Sequence, residues 1–267
     1  MIRFDVDEGW ALVTHPEHAR LAAAFAERWG NERFAVPEPW SPIHYAVAHH
    51  DDGWLDRDSN PCLTRAGQPE AFTRQLVGRY SAFEEIDLPS YLEVRRRATA
   101  AVASTDQFSG LLVAMHTANL LTDQADPETI QPHHRAAYQN FLDEQQRWQQ
   151  ESRATLNVPA DQLQRGFEFL QCCDHLSLIA CCGYDQPTVL RHAQPDRNGQ
   201  RHSLSCRWVR PTTWTIDPWP FDEWVLNFEV PCRIIPRHAC QSLEGFREVY
   251  HRSSTRTLLI TLVADHA

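Results

Sequence analysis

The sequence predicts a mainly α-helical protein with a small β-sheet subdomain drawn from both ends of the chain. Apolar residues recur about every 3.6 positions through most of residues 69–184, which is the spacing of amphipathic helices. Short runs of branched and aromatic residues, typical of strands, lie before residue 14 and after residue 203. Between these regions, residues 185–202 are polar and contain the turn signal Asn198-Gly199.

The chain length permits one domain with an appended subdomain, because 267 residues exceed the usual size of a single domain only moderately. Hydrophobic residues make up 42% of the chain, and nine Trp and twelve Phe supply large apolar side chains for a core. We therefore expect a helical core over 14–184, a small β subdomain from 1–13 and 203–267 packed on it, and a connecting loop over 185–202.

Net charge and apolar runs argue against several classes of partner. The 25 basic and 35 acidic residues give a net charge of −10, so nonspecific binding to nucleic acid or anionic membranes is not favoured. The first ten residues are acidic and lack the apolar stretch of a secretory signal, and Leu258–Val263 is too short to span a bilayer. We expect a soluble cytoplasmic protein without a nucleic-acid or membrane partner.

The N-terminal part is predicted to form a β-hairpin followed by two helices. Ile2–Val6 and Trp10–Val13 flank an Asp-Glu-Gly turn. Thr14–Glu17 has the pattern of a capping box with proline in the first turn, so a helix is predicted from there to about Trp29. A second helix begins near Ser41 and is expected to end at the Asp-Asp-Gly sequence that follows His50.

Four or five helices are predicted between Pro69 and Tyr184. Beyond the connecting loop, a short helix is expected over Leu243–Tyr250. Asp217–Phe221 could form an aromatic lid or docking surface, but we favour a Pro-rich connection between strands. The β-like runs in this part are Leu204–Val209, Thr212–Ile216, Trp224–Val230, Arg233–Ile235 and Thr257–Val263.

The eight cysteines need an explanation in a cytoplasmic protein. Two adjacent pairs, Cys172-Cys173 and Cys181-Cys182, fall in one predicted helix. At about 100° per residue, each cysteine of the first pair lies opposite its counterpart in the second, so four thiols cannot converge on one zinc ion. The remaining cysteines show no disulfide spacing. We expect reduced core cysteines and no disulfides.

The dipeptide His50-Asp51 is the most informative chemical feature of the chain. An imidazole nitrogen and a carboxylate on adjacent residues lie within reach of one metal ion. His50 also falls on the apolar stripe of its predicted helix, which predicts that it points into the core. The other members of that stripe are Ile43, Ala46, Val47 and Trp54.

Three further ionisable residues lie on apolar stripes of other predicted helices: His18, His116 and Asp174. His116 shares its stripe with Asn119. A single inward histidine is more often a hydrogen-bonded core residue than a ligand. A lone buried carboxylate is costly unless it is paired or bound to metal. Its pairing partner could be one of the arginines Arg79, Arg95, Arg96 and Arg97. Several helices that all point such groups inward favour a divalent cation as their common partner.

The order of these residues resembles a known signature. His18, then His50-Asp51, then Asp174 is similar to the H…HD…D pattern of the HD-domain metal-dependent phosphohydrolases. Over nearly its whole length the chain also resembles the bacterial family known as domain of unknown function 3891. The stretches that carry this second resemblance are His15–His18 with Ala24–Ala26, His50–Trp54, Leu112–His116, Leu170–Leu178 and Asp217–Phe221.

The HD resemblance implies an HD-domain-like helical bundle in which His18, His50, Asp51 and Asp174 hold the metal. It implies hydrolysis of a phosphate ester of a nucleotide or another small molecule by metal-activated water. One or two divalent transition-metal ions are expected, from among Fe, Mn, Ni, Co and Zn.

This chain departs from the HD pattern directly after the dyad. Many HD hydrolases carry a catalytic lysine or glutamate there, whereas this chain has Asp52, to which we assign proton transfer. His116, Asn119 and Trp54 are assigned to the substrate or to a second metal ion. Weaker candidates for additional ligands are His44, His49, His133, His134 and His175.

Two other functions remain open at this point. The additional histidine His116 allows an HD-type diiron oxygenase, because some relatives hold two irons and activate oxygen. The absence of the usual catalytic residue allows a metal-stabilised, non-catalytic protein that binds a ligand or partner.

Overall fold

The computed structural model describes residues 1–77, 81–82 and 87–265, so Arg79 lies outside the described residues. The helices within this part are α1 (His15–Arg28), α2 (Trp40–His49), α3 (Leu55–Ser59), α4 (Leu88–Thr105), α5 (Gln107–Thr122), α6 (Arg135–Leu156), α7 (Ala160–Cys182) and α8 (Leu243–Arg252). The strands are β1 (Ile2–Val6), β2 (Gly9–Val13), β3 (Ser81–Ala82), β4 (Ala125–Asp126), β5 (Thr188–Val189), β6 (Gln194–Pro195), β7 (Arg201–His202), β8 (Ser205–Arg210), β9 (Thr213–Asp217), β10 (Val225–Pro236) and β11 (Arg256–Val263).

Seven of these strands form one curled, mixed sheet in the order β1-β2-β10-β11-β9-β8-β5. Strand β10 joins its two halves, because residues 225–232 pair with β11 and residues 233–236 pair with β2. Strands β11 and β9 run parallel, and the other neighbouring pairs are antiparallel. The sheet therefore unites the N-terminal hairpin with strands from the last third of the chain.

The predicted fold class, a mainly α HD-domain-like bundle with a small β subdomain, is wrong. The seven-stranded sheet makes this an α/β fold. The sequence suggested two short runs on either side of Pro231, a residue type that usually interrupts a strand. In the structure they are one strand, in which Pro231 pairs with Thr257. Pairing between segments far apart in the sequence has no local signature, so the extent of the sheet was underestimated.

Several local predictions are confirmed. The N-terminal hairpin, α1 and α2 lie within one or two residues of their predicted bounds, and the Thr14 side chain accepts a hydrogen bond from the Glu17 amide at 3.2 Å. Helices α4 to α7 occupy the region in which four or five were expected. The predicted connecting loop over 185–202 is more ordered than expected, since it contains β5, β6 and β7.

The segment Asp217–Phe221 connects β9 to β10 and packs against the end of α1. The Phe221 ring is buried and meets Trp29 at 5.6 Å between centroids. The Asn31 amide donates hydrogen bonds to the main-chain oxygens of Trp219 and Phe221, at 2.9 and 3.1 Å. These contacts agree with a strand connection. No helix in the described part of the chain is both long and apolar enough to cross a membrane.

Helix α7 lies at the centre of the main hydrophobic core, which contains side chains from helices and sheet together. Every residue of α7 from Gly166 to Cys182 is buried. A Cβ on Gly166 would lie only 3.1 Å from the Ile43 side chain of α2, so the two helices pack closely there. A helix buried on all sides cannot turn its polar residues toward water. The polar residues of α7 must therefore find partners inside the protein.

The buried position of α7 also predicts how the cysteines react. Burial raises the pKa of the four α7 thiols, and that of Cys182 to about 12, whereas Cys62 is partly exposed. Because the thiolate is the reactive form, a disulfide reagent near pH 8 should modify Cys62 alone in the native protein. After unfolding without reductant, all eight cysteines should react. Titration of wild type and Cys62→Ser tests this, and rapid native reaction in the variant would contradict it.

Candidate metal centre

Five buried side chains meet beside α7 and are called the cluster below. They are His18 of α1, His50 at the end of α2, Asp51, His116 of α5 and Asp174 of α7, and none is more than 3% exposed. Two groups of three offer donor atoms within 4.8 Å of one another: His18, His50 and Asp174, and His50, Asp51 and His116. These buried groups could hold a metal ion.

The tautomer of His50 is fixed by the main chain. Its Nδ1 lies 2.8 Å from the carbonyl oxygen of Val47, which can only accept a hydrogen bond. Nδ1 therefore carries a proton and donates it. In the neutral ring, the lone pair is then on Nε2, which lies 3.3 Å from the Asp174 Oδ1.

The tautomer of His18 is fixed by a hydroxyl group. Ser177 Oγ donates to the main-chain oxygen of Asp174 at 2.8 Å, so it accepts the hydrogen bond from His18 Nδ1 at 2.9 Å. The lone pair of neutral His18 is therefore on Nε2. That nitrogen lies 3.0 Å from Asp51 Oδ2.

Each of these imidazole lone pairs faces a carboxylate oxygen, and two acceptors at such distances repel unless a proton or a cation lies between them. Metal bonds to nitrogen and oxygen are about 2.1 Å long, so two ligands of one ion lie at most about 4.2 Å apart. The Nε2–oxygen distances of 3.0, 3.3 and 4.0 Å, the last from His50 to Asp51, meet this limit. Two imidazoles and two carboxylates also suit a divalent transition metal.

Each carboxylate has an arginine near the oxygen that does not face a histidine, but only the arginine at Asp51 is within hydrogen-bond distance. Arg95 of α4 donates to Asp51 Oδ1 at 2.5 Å, which leaves Oδ2 directed at His18. Arg191 is farther away, with its Nη1 3.8 Å from Asp174 Oδ2. Pairing of an inward aspartate with an arginine, considered above as an alternative to metal binding, is thus present at Asp51. It occupies one oxygen only and does not satisfy the histidines.

The charges in the cluster shift the pKa values of its members. Burial alone lowers the pKa of His50, but Asp51 and Asp174 outweigh it and raise that pKa to about 9. Burial tends to raise the pKa of Asp51 and Asp174, but the cations around them hold both well below the usual value. His116 differs, because burial lowers its pKa to about 3 and the nearby carboxylates do not offset this.

The remaining predicted site residues lie outside the two donor groups. Asp52 accepts a hydrogen bond from His49 Nδ1 at 2.6 Å, and its side chain is 32% exposed. Trp54 stacks on the His15 ring at 4.2 Å and lies under the Arg95 guanidinium. Asn119 donates to Asp123 at 2.6 Å.

The histidines considered as weaker ligand candidates also lie outside these groups. His44 pairs with Glu27 at 3.0 Å. His133 and His134 pack on each other in the turn before α6, with ring centroids 3.9 Å apart. His175 Nδ1 accepts a hydrogen bond from the Arg191 amide at 3.2 Å.

Sequence reasoning missed three residues that position the cluster: Gln171, Ser177 and Arg191. Gln171 and Ser177 lie three residues before and after Asp174 and thus on the same side of α7. Searching the apolar stripe for every polar residue, and not only for ionisable ones, would have found both. Arg191 lies in the segment predicted as a connecting loop, and nothing in its local sequence marks it.

A comparison with protein families matches residues 1–237 to the family described as "Protein of unknown function (DUF3891)". The chain belongs to this family. The matched range contains the whole cluster, Arg95 and Arg191. No curated protein and no solved structure matches the chain. These comparisons do not confirm a relationship to the HD-domain proteins, and that resemblance rests on the order of the residues alone.

The raised pKa of His50 predicts how the stability of the metal-free protein depends on pH. A folded pKa of about 9, above the ordinary 6.5, means that the folded state holds a proton that the unfolded state releases. The contribution of this proton to the free energy of unfolding is complete below pH 6.5 and is lost as the pH rises through about 9. The loss should reach about 3 kcal/mol in the free energy of unfolding.

Urea unfolding of chelator-treated protein between about pH 6 and pH 10 measures this loss. Because a metal ion would take the place of the proton, saturating zinc should flatten the dependence. His50→Gln is the matched variant, and its stability should fall less steeply over the same range. If the free energy of unfolding depends on pH equally in the variant and in wild type, the pH dependence does not come from His50.

Proposed function

We propose that this protein is a metal-dependent hydrolase of a small phosphorylated molecule. The observation that supports this most directly is that two buried imidazole Nε2 atoms face two carboxylate oxygens, so that His18, His50, Asp51 and Asp174 together offer two nitrogen and two oxygen donors. A divalent ion bound by these residues would lower the pKa of bound water and would stabilise charge on phosphoryl oxygens. The choice of a phosphate ester rests on the order of these residues along the chain.

In this proposal, the side chains around the donors orient them. The Val47 carbonyl and the Ser177 hydroxyl hold the Nδ1 protons of the two histidines, so both Nε2 atoms face the carboxylates. Arg95 fixes Asp51 through Oδ1. Such partners typically change metal affinity 10- to 100-fold when they are removed.

Proton transfer is assigned to Asp52, together with His49. The two side chains form a short hydrogen bond and are each about one-third exposed, so they can exchange protons with solvent. Trp54 and Asn119 stay candidates for contact with the substrate, because Trp54 Nε1 and Asn119 Oδ1 are buried without a hydrogen-bond partner among the described residues.

A second function is favoured by the nearly complete burial of the cluster. A metal that only stabilises the fold needs no open position, and all donor side chains here are at most 5% exposed. In that case the protein would be a metal-stabilised binding protein without catalysis. The two functions differ in whether metal-loaded protein turns over a substrate.

The test is to reconstitute metal-free protein separately with Mn, Fe, Co, Ni and Zn and to measure phosphate release from nucleotides and sugar phosphates. The proposed hydrolase should release phosphate with at least one metal, and a chelator should abolish the release. Stable one-to-one metal binding without turnover of any ester would favour the non-catalytic function.

Asp174→Asn tests the ligand assignment. This substitution keeps the shape but removes a charged oxygen donor, so metal affinity should fall by roughly tenfold or more. The stabilisation that metal gives to the fold should fall with it. Asp161→Asn is the matched control, because Asp161 is exposed on the same helix and pairs with Arg165.

Elemental analysis and melting temperature, with and without chelator, measure both effects. If Asp174→Asn keeps its full metal content while His50→Ala loses metal, the four-ligand assignment is wrong.

A further inference from the structure

Arg191 is brought to the cluster by the segment between α7 and β8. Leu190 is buried and its amide donates to the Leu204 carbonyl at 2.8 Å, which closes a loop over residues 190–204. The Arg191 amide donates to His175 Nδ1 on α7 at 3.2 Å. These main-chain contacts hold the Arg191 side chain over α7, where it is 19% exposed and borders both solvent and Asp174.

The guanidinium of Arg191 has weak contacts compared with other arginines in this protein. Its Nη1 lies 3.5 Å from Gln171 Oε1 and 3.8 Å from Asp174 Oδ2. Arg95 approaches Asp51 to 2.5 Å, and Arg201 approaches Glu168 to 2.6 Å. Burial lowers the pKa of Arg191, and Asp174 offsets this only in part. A guanidinium carries five N–H donors, and these two contacts with described residues involve Nη1 alone, which leaves the other donors for an anion.

Arg191 also determines which hydrogen bond His116 can make. Because a guanidinium only donates, the oxygen of the Gln171 amide faces Arg191 and its NH2 group faces His116. Gln171 Nε2 then donates to His116 Nδ1 at 2.9 Å. A neutral His116 therefore carries its proton on Nε2. It offers an N–H group to the cluster and not the lone pair that a metal requires.

We propose that Arg191, Gln171 and His116 form an oxyanion-binding arm of the cluster that receives the phosphoryl group of the substrate. Arg191 and His116 donate hydrogen bonds to phosphoryl oxygens, and Gln171 orients both donors. The planar fork of a guanidinium matches a phosphate group well. It follows that the cluster holds one metal ion and not two. The arm rests on the proposed function for its role in catalysis, but its anion binding can be measured separately.

The first experiment measures binding of inorganic phosphate to the full-length protein by calorimetry, with and without bound zinc. Charge-assisted hydrogen bonds are strong enough that Arg191→Met should weaken phosphate binding roughly tenfold or more. Zinc content should stay at the wild-type value. Arg165→Met is the matched control, because Arg165 is exposed on α7 and pairs with Asp161, and it should bind phosphate like wild type.

Arg191→Lys is a control for a folding defect, because lysine keeps the positive charge but lacks the planar guanidinium. This variant should bind phosphate with an affinity between those of wild type and Arg191→Met. Wild-type affinity for phosphate in Arg191→Met would overturn the arm. So would a zinc-loaded wild type that binds no phosphate. If phosphate binding depends on Arg191 but the protein takes up no metal, the proposed function fails while the arm stands.

The second experiment concerns His116 and uses metal content as its readout. His116→Ala should keep one metal per chain and bind phosphate several-fold more weakly, because only a donor has been removed. His116→Gln, which restores an N–H group, should recover part of the phosphate affinity. Two metals per chain in wild type, with loss of one in His116→Ala, would show that His116 is a ligand and would overturn the arm.

Discussion

The contact between two imidazole Nε2 atoms and two carboxylates, deep in the core, is the constraint on which the rest of the structure depends. Asp174 lies on a helix that is buried on every side, so its charge cannot be hydrated. A buried, uncompensated carboxylate is too costly for a marginally stable fold. Helices α1 and α2 must therefore stay in register with α7, so that His18 and His50 reach it.

The curled sheet is what keeps α7 buried. Phe25 of α1 meets Phe228 of β10 edge-on at 4.8 Å, so the sheet packs directly on the helix that carries His18. At the C-terminal end of α7, Gly183 adopts the left-handed conformation, and any Cβ there would collide with the Phe4 ring of β1. The chain then passes through β5, which pairs with β8. The same sheet thus covers α7 and holds the segment that carries Arg191.

The cluster combines features of structural and catalytic metal sites. Its donors are almost completely buried, which is typical of sites that stabilise a fold. Its surroundings are nevertheless asymmetric, because Arg95 binds Asp51 tightly whereas Arg191 touches Asp174 loosely and reaches solvent. The Arg191 side is where a ligand can approach with the smallest rearrangement of the core.

The sequence by itself determined which residues form the cluster but not the architecture that encloses it. His18, His50 and Asp174 were found because polar residues on apolar helical stripes are a local pattern with a fixed period. The capping box of α1 and the bounds of α2 are local in the same way. The sheet was decided by tertiary structure, because β10 pairs with strands at opposite ends of the chain. The same holds for Arg191, since its place beside Asp174 results from a segment that returns over α7, and no spacing in the sequence encodes that return.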